Sequence, residues 1–297
     1  MLALRGLLLT VFLSLPVVAA AQVFGYAVNS DDQIDADQLL RINLETGETT
    51  MIGPLQPAYL QDVEGLAFDS QDALYGVDSA TKTLVRIDLA KGNAELVDAR
   101  QGNLGFLPAA PFDYGLTFTC SGQLLLVAEQ TQSLYEVSTE TGQARVIGQS
   151  GGLGDTMTAV ASYGTATYAL AADSGNFYRV DEEAGTATLV GVVDDFQFTD
   201  AGMAFDEAGT LWAISSDFSS DPSRIFTIDP TTAEVQMFGT TRAGVESLAI
   251  SGPSGCNFSG APVTTEPIPV NSTWALLLLL LSIGAVGGYH AASARRR

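Results

Sequence analysis

Residues 65–98 read GLAFDSQDALYGVDSATKTLVRIDLAKGNAELVD. Four strand-like runs lie in this stretch: GLAF, then LYGVD ending on an acid, then LVRID, then AELV. The turn Ala90-Lys91-Gly92 separates the third from the fourth and puts glycine where a short hairpin wants a positive φ. Short β-favouring runs divided by turn residues predict an antiparallel meander rather than helices.

The pattern recurs on both sides. GLTFTCSGQLLLVAEQTQSLYEVSTETGQARVIG occupies 115–148, AVASYGTATYALAADSGNFYRVDEEAGTATLVG occupies 159–191, and GMAFDEAGTLWAISSDFSSDPSRIFTIDPTTAEVQMFG occupies 202–239. A further copy, YAVNSDDQIDADQLLRINLETGETTMIG at 26–53, lacks its opening strand. The missing strand stands at the far end as ESLAI, residues 246–250. Four whole copies and one split between the termini describe a ring, which is how a propeller protects its sheet edges. The turn glycines Gly47, Gly92, Gly142 and Gly185 recur at spacings of 45, 50 and 43, while the last copy has Thr-Thr-Ala in that slot. Four strands per 40–50 residues is blade spacing. The fold expected is an all-β, five-bladed β-propeller over residues 22–251, closed by the C-terminal strand joining the N-terminal blade. An open sandwich is the alternative that strand spacing leaves standing.

The turns RINLETG (residues 41–47) and RIDLAKG (residues 86–92) resemble those of secreted YVTN-like and YncE-like propellers. That resemblance implies the fold and no particular activity.

Both ends read as addresses rather than as fold. Residues 1–21, MLALRGLLLTVFLSLPVVAAA, carry Arg5, an apolar run from Leu7 to Val18 and a small-residue site at Ala19-Ala20-Ala21. This predicts a signal peptide. Residues 252–267 form a linker rich in Ser, Gly, Pro and Thr. Beyond it, WALLLLLLSIGAVGGY (274–289) predicts a transmembrane or sorting helix, and Arg295, Arg296 and Arg297 follow. Basic residues after a span stay cytoplasmic, which leaves the body outside. Ile268, Pro269, Ser272, Trp274, the Leu run and the Arg cluster resemble the IPTL-CTERM sorting tail over residues 268–297; Val270 and Asn271 stand where the family name spells Thr and Leu. The resemblance implies an exosortase-like processing enzyme as partner. The expected location is the envelope: anchored through the C-terminal helix and facing the periplasm or cell surface, or released after processing.

Charge excludes whole classes of function. Arg5 and the three terminal Arg are four of the 13 Lys and Arg, and none of the 34 Asp and Glu lies in the two ends, so residues 22–267 carry a net charge of −25. Such a surface repels nucleic acid and favours cations. The single histidine is His290, in the tail. The exported part therefore has no His-based acid–base chemistry, no Ser-His-Asp triad and no His metal site. Phosphate-loop, zinc and G-x-S-x-G patterns are absent as well.

The candidates for chemistry are acids. Asp62, Glu64, Asp113, Asp200 and Glu246 each stand just before an inner strand, where a propeller opens its channel. Converging carboxylates would hold a hard cation such as Ca²⁺ or act as an acid/base pair; dispersed, they are solvated loop charge. Asp31, Asp32, Asp35 and Asp37 form a weaker calcium candidate, lacking the Gly and terminal Glu of an EF-hand loop. The entry loops 99–114 and 192–201 bring Phe106, Phe112, Tyr114, Phe196 and Phe198 to the same face. Tyr75, Tyr168, Tyr178 and Trp212 lie inside strands and read as blade packing. Cys120 and Cys256 follow inner strands on the opposite face, and a disulfide between them would tie the closing strand into the ring. The function expected is a non-enzymatic surface binding or interaction module. The alternative is a carboxylate hydrolase of glycans or lactones, with or without calcium, and the two differ in whether the acids surround a pocket.

Overall fold

The computed structural model describes residues 22–256, apart from 31, 33, 35, 58–59, 61, 99–102, 106–112, 172, 194–198 and 217–220. The chain divides into two units, Met1–Cys256 and Asn257–Arg297, and every described residue belongs to the first.

Five antiparallel sheets follow one another along the chain. The first contains β1 (Phe24–Val28), β2 (Gln38–Asn43) and β3 (Thr49–Pro54). The second runs β4 (Val63–Phe68), β5 (Leu74–Asp78), β6 (Thr83–Ile87) and β7 (Ala94–Leu96). The third is β8 (Tyr114–Phe118), β9 (Leu124–Ala128), β10 (Ser133–Val137) and β11 (Ala144–Val146). The fourth is β12 (Ala159–Tyr163), β13 (Ala166–Ala171), β14 (Asn176–Asp181) and β15 (Thr186–Val192), and the fifth is β16 (Asp200–Phe205), β17 (Leu211–Ser216), β18 (Pro222–Ile228) and β19 (Val235–Ala243). Each sheet is a meander in which every strand pairs with its successor. The molecule is a five-bladed β-propeller.

Five apolar clusters fill the wedges between neighbouring blades. One example joins Leu125, Val127 and Leu134 of blade three to Val160, Ala169 and Val180 of blade four. Another joins Leu40, Ile42 and Leu44 of blade one to Trp212, Ile214 and Ile225 of blade five. Each fully buried aliphatic or aromatic side chain contributes about 1.5–3 kcal/mol. Both faces of a blade are covered, so β4, β8, β9 and β17 are buried at every position. The outer strands β3, β11 and β15 are largely exposed or half-buried. The aromatic that ends an inner strand meets a tyrosine of the blade before it: Tyr26 on Phe68 at 5.5 Å, Tyr75 on Phe118 at 5.4 Å and Tyr168 on Phe205 at 6.0 Å between centroids.

The hairpins between third and fourth strands share one device. Gly47, Gly92, Gly142 and Gly185 have φ between 74° and 76°, or 65° for Gly185, and Ala233 takes φ 61° in the same slot of blade five. The amide of each donates to the carbonyl four residues back, on Asn43, Asp88, Ser138, Asp181 and Asp229. The side chains of those five residues also accept the amide two positions ahead.

Closure between blades five and one departs from a regular fourth strand. Residues 246–250 pair with β1 only at Tyr26 and Ala249, which exchange hydrogen bonds of 2.7 and 2.8 Å. At the next rung the Ser247 hydroxyl replaces the backbone, accepting from Val28 N at 2.9 Å and donating to Val28 O at 3.4 Å. Thr241 donates to Gly47 O across the same seam, and Arg242 pairs with Asp32 at 2.9 Å.

The chain then crosses the end of the ring. Gly164 N donates to Ser254 O at 2.8 Å, and a Cβ on Gly252 would stand 2.4 Å from Asp69 O. A disulfide joins Cys120 to Cys256, with Cα atoms 5.3 Å apart. Residues 251–254 line the end of the central channel, around a cavity of about 30 Å³ bordered by Phe68, Phe118 and Phe205. Among the described residues no helix is long and apolar enough to cross a membrane, and the expected helix at 274–289 within the tail 268–297 lies outside them, as does the signal at 1–21.

Candidate functional site

The opposite end of the channel collects the acids, and strand register explains how. Asp113 and Asp200 occupy one structural position, immediately before or at the first residue of an inner strand. The Asp113 carbonyl accepts from Glu129 N, and Asp200 pairs with Ser216 in the matching place. Asp62 occupies this position in blade two, its carbonyl accepting from Ser79 N. In blade four Ala159 pairs with Leu170 as Gly115 pairs with Val127 and Gly202 with Ile214, so this position falls on Met157 and Thr158 follows it by one residue.

Glu64 arrives by a different route. Val63 faces Asp78 but Leu66 faces Gly76, so β4 carries one residue more than its partner. This bulge is the reason the glutamate turns toward the channel, since an extra residue re-aims the side chain beside it. Residues 63–67 read VEGLA and residues 245–249 read VESLA, so Glu246 is the counterpart of Glu64 on the closing strand. The residues just before the two motifs, Asp62 and Gly244, both have positive φ, 121° and 67°.

Glu64, Asp113 and Asp200 converge. One carboxylate oxygen of each lies within 4.8 Å of those of the other two. Glu64 is 5 % exposed, Asp200 7 % and Glu246 4 %. Tyr114 N donates to Glu64 at 2.9 Å, Ala201 N to Asp200 at 2.6 Å, and the Ser30 hydroxyl to Glu246 at 2.6 Å. Burial first, then the neighbouring charges of Asp200, Asp113, Asp62 and Glu246, holds the Glu64 carboxyl well above the usual range. Asp200 is raised well above its ordinary value by burial and by Glu246 and Asp113. The Thr158 hydroxyl is near enough to Asp200 to favour its ionised form. Yet this hydroxyl is buried and has no hydrogen bond of normal geometry. Below the acids Gly65, Gly115 and Gly202 bring the inner strands together: a Cβ there would stand 2.8 Å from Tyr114 O, 2.7 Å from Val160 N and 2.4 Å from Leu248 N. The cavity at that level holds about 10 Å³, room for at most about one water.

The other candidates fall elsewhere. Asp62 accepts the Ser79 hydroxyl and takes its amide's partner from Asp37, at 3.0 Å, so it borders the three converging acids without joining them. Asp32 pairs with Arg242 and accepts from Ile34 N and Asn29. Asp32 and Asp37 thus serve the chain around them, and neither is in the converging group; Asp31 and Asp35 lie outside the described residues. Tyr114, expected on the loop face, is instead the first residue of β8 and 2 % exposed in the core. Phe106, Phe112, Phe196 and Phe198 lie outside the described residues, as do the tail residues Ile268, Pro269, Ser272, Trp274 and Arg295 to Arg297. Reading the acids alone misses Thr158. The aligned copies carry Tyr114 and Ala201 at its position, so nothing in the repeat singles it out.

A family model described as "Repeat of unknown function (DUF6923)" matches residues 25–155, which span blades one to three. No curated protein matches the chain. Among solved structures, virginiamycin B lyase from Staphylococcus aureus is 17 % identical with a TM-score of 0.42, covering 73 % of this chain and 74 % of that one. A gluconolactonase, XC5397 from Xanthomonas campestris, is 15 % identical with a TM-score of 0.46, covering 78 % and 84 %. A chain of a nidogen/laminin complex is 11 % identical with a TM-score of 0.47, covering 73 % and 78 %. Likeness this low carries no argument about chemistry; the chain is similar over residues 25–155 to the DUF6923 repeat.

Proposed function

We propose that this chain is an exported, envelope-held β-propeller acting as a non-enzymatic binding module, with the acidic channel mouth as its ligand face. The observation that carries this reading is the packing of three carboxylates around one point, above a channel level with about 10 Å³ of space. A glycosidase or lactonase needs a pocket that admits the substrate between acid and base. Here, among the described residues, the acids close on each other instead. The hydrolase reading is therefore the weaker one.

Export and anchoring are supported by the sequence of the two ends: a signal peptide at 1–21, and a sorting tail at 268–297 whose Arg cluster would remain cytoplasmic. The resemblance of that tail to IPTL-CTERM supports an exosortase-like enzyme as its processing partner. The test is fractionation of the full chain beside a variant ending at residue 267. The full chain is expected in the envelope and the shortened one in the soluble exported fraction. Cytoplasmic retention of the full chain contradicts export, and membrane retention of the shortened one contradicts the anchor. In parallel, incubation with lactones and aryl glycosides should give no turnover above that of an Asp200→Asn, Glu64→Gln double variant.

A further inference from the structure

We propose that Glu64, Asp113, Asp200 and the Thr158 hydroxyl form a binding site for one hard divalent cation of calcium's kind, seated in the channel mouth. The inference deepens the reading of the mouth as the ligand face and rests on it.

Two independent observations point to the ion. The first is the convergence of three carboxylate oxygens within 4.8 Å of one another, contributed by blades two, three and five. The second is Thr158, which precedes β12 of blade four and whose hydroxyl lies beside the Asp200 carboxyl. Its side chain is 2 % exposed and its hydroxyl oxygen, though close to Asp200, makes no hydrogen bond of normal geometry. A hydroxyl sealed from water and left unpaired costs about 1–3 kcal/mol, and an ion among these four groups would give its oxygen a partner. Glu246 stands alongside with one oxygen accepting from Ser30.

The donor set selects the ion class. All the groups are oxygens; the described part of the chain has no histidine, and both cysteines are in the disulfide. That excludes the nitrogen and sulfur ligation that zinc prefers. Three carboxylates, each giving one or two oxygens, together with a hydroxyl, approach the six to eight oxygens that calcium takes. Magnesium usually keeps several of its waters, and the channel beneath the acids has room for about one. Calcium therefore fits better than magnesium.

The test is calcium titration of the purified full chain in mild detergent, by calorimetry and by thermal melting against a chelator-treated sample. One calcium per chain is expected, with Kd at or below the roughly 10⁻⁴–10⁻³ M of extracellular modules, and a rise in Tm as the ion saturates. Asp200→Asn and Glu64→Gln should each weaken binding about tenfold or more, and Thr158→Val a few-fold. Glu140→Gln, on an exposed turn, should change nothing. The carboxylate substitutions each remove a crowded buried charge, so these variants fold, and a melt in chelator establishes that separately. Absence of saturable calcium binding by about 10 mM, or binding unchanged in both Asp200→Asn and Glu64→Gln, overturns the site. A chain that reaches the envelope and turns over neither lactone nor glycoside, yet takes up no calcium, overturns the ion site alone. Lactone turnover by the calcium-loaded chain supports the ion site and overturns the non-enzymatic reading.

Discussion

Asp200 concentrates the electrostatics of the mouth. Its carboxyl is buried, faces Glu246 and Asp113, and is displaced well above its usual range. A carboxyl whose folded pKa is raised gives its full stability below the unfolded value, near 3.9, and loses it as pH rises through the folded value. In metal-free buffer, the wild-type chain should therefore lose stability from this site between acidic and neutral pH. Asp200→Asn keeps the acceptor for Ala201 N and removes the charge. We expect it to be more stable than wild type at pH 7 by on the order of 1–3 kcal/mol, with the gap closing near pH 4. Melting curves at the two pH values decide this, and a variant less stable at pH 7 contradicts it. The five acids were legible as residues standing before inner strands. Their grouping was not, because it depends on the bulge that turns Glu64 inward and on the Ser79 contact that takes Asp62 aside.

Among the elements, the third-to-fourth hairpin is the most strictly repeated. Its left-handed residue abuts the neighbouring blade: a Cβ on Gly185 would lie 2.1 Å from Ile147 O, and one on Gly47 would lie 2.0 Å from Thr240 O. Gly185→Ala should cost at least about 2 kcal/mol, combining left-handed strain with a backbone overlap, as read by urea unfolding. Ala233 shows the same turn solved differently, since its methyl group faces Gly191 and is buried in the seam between blades four and five. Ala233→Gly should stay within about 1 kcal/mol of wild type, because relief of strain is offset by lost packing and a freer unfolded chain. The closing strand depends on Ser247, whose hydroxyl stands in for a backbone rung. Ser247→Ala leaves the Val28 amide buried without that acceptor and should destabilise by about 1–3 kcal/mol, with faster amide exchange at Val28. The four-run pattern and the turn glycines made these blades readable. The inner strands β4 and β8 are buried at every position, because both faces of a blade meet other blades.

For the molecule as a whole, ring closure and channel closure use the same stretch of chain. Residues 246–250 complete blade one, and residues 251–256 cross the end of the channel before the disulfide to Cys120. A cross-link between residues 136 apart stabilises by about 5 kcal/mol in the chain-entropy model. Cys120→Ser or Cys256→Ser should lower Tm by about 10–20 °C, with the amides of Tyr26 and Ala249 exchanging faster than those of blade four. Equal stability of the single variants and the wild type would show that the closing strand holds without the link. By itself the sequence determined the repeat, the number of blades, the split first blade and the acidity of one face. Those properties are written in periodic turns and in local charge, which need no knowledge of what lies across the ring. Only the tertiary structure decided which acids meet, that Thr158 joins them, that Ser247 replaces a backbone rung, and that the last residues close the channel. Each of these contacts joins residues well separated along the chain. Its geometry is set by bulges and by close approaches at glycine that single residue types do not announce.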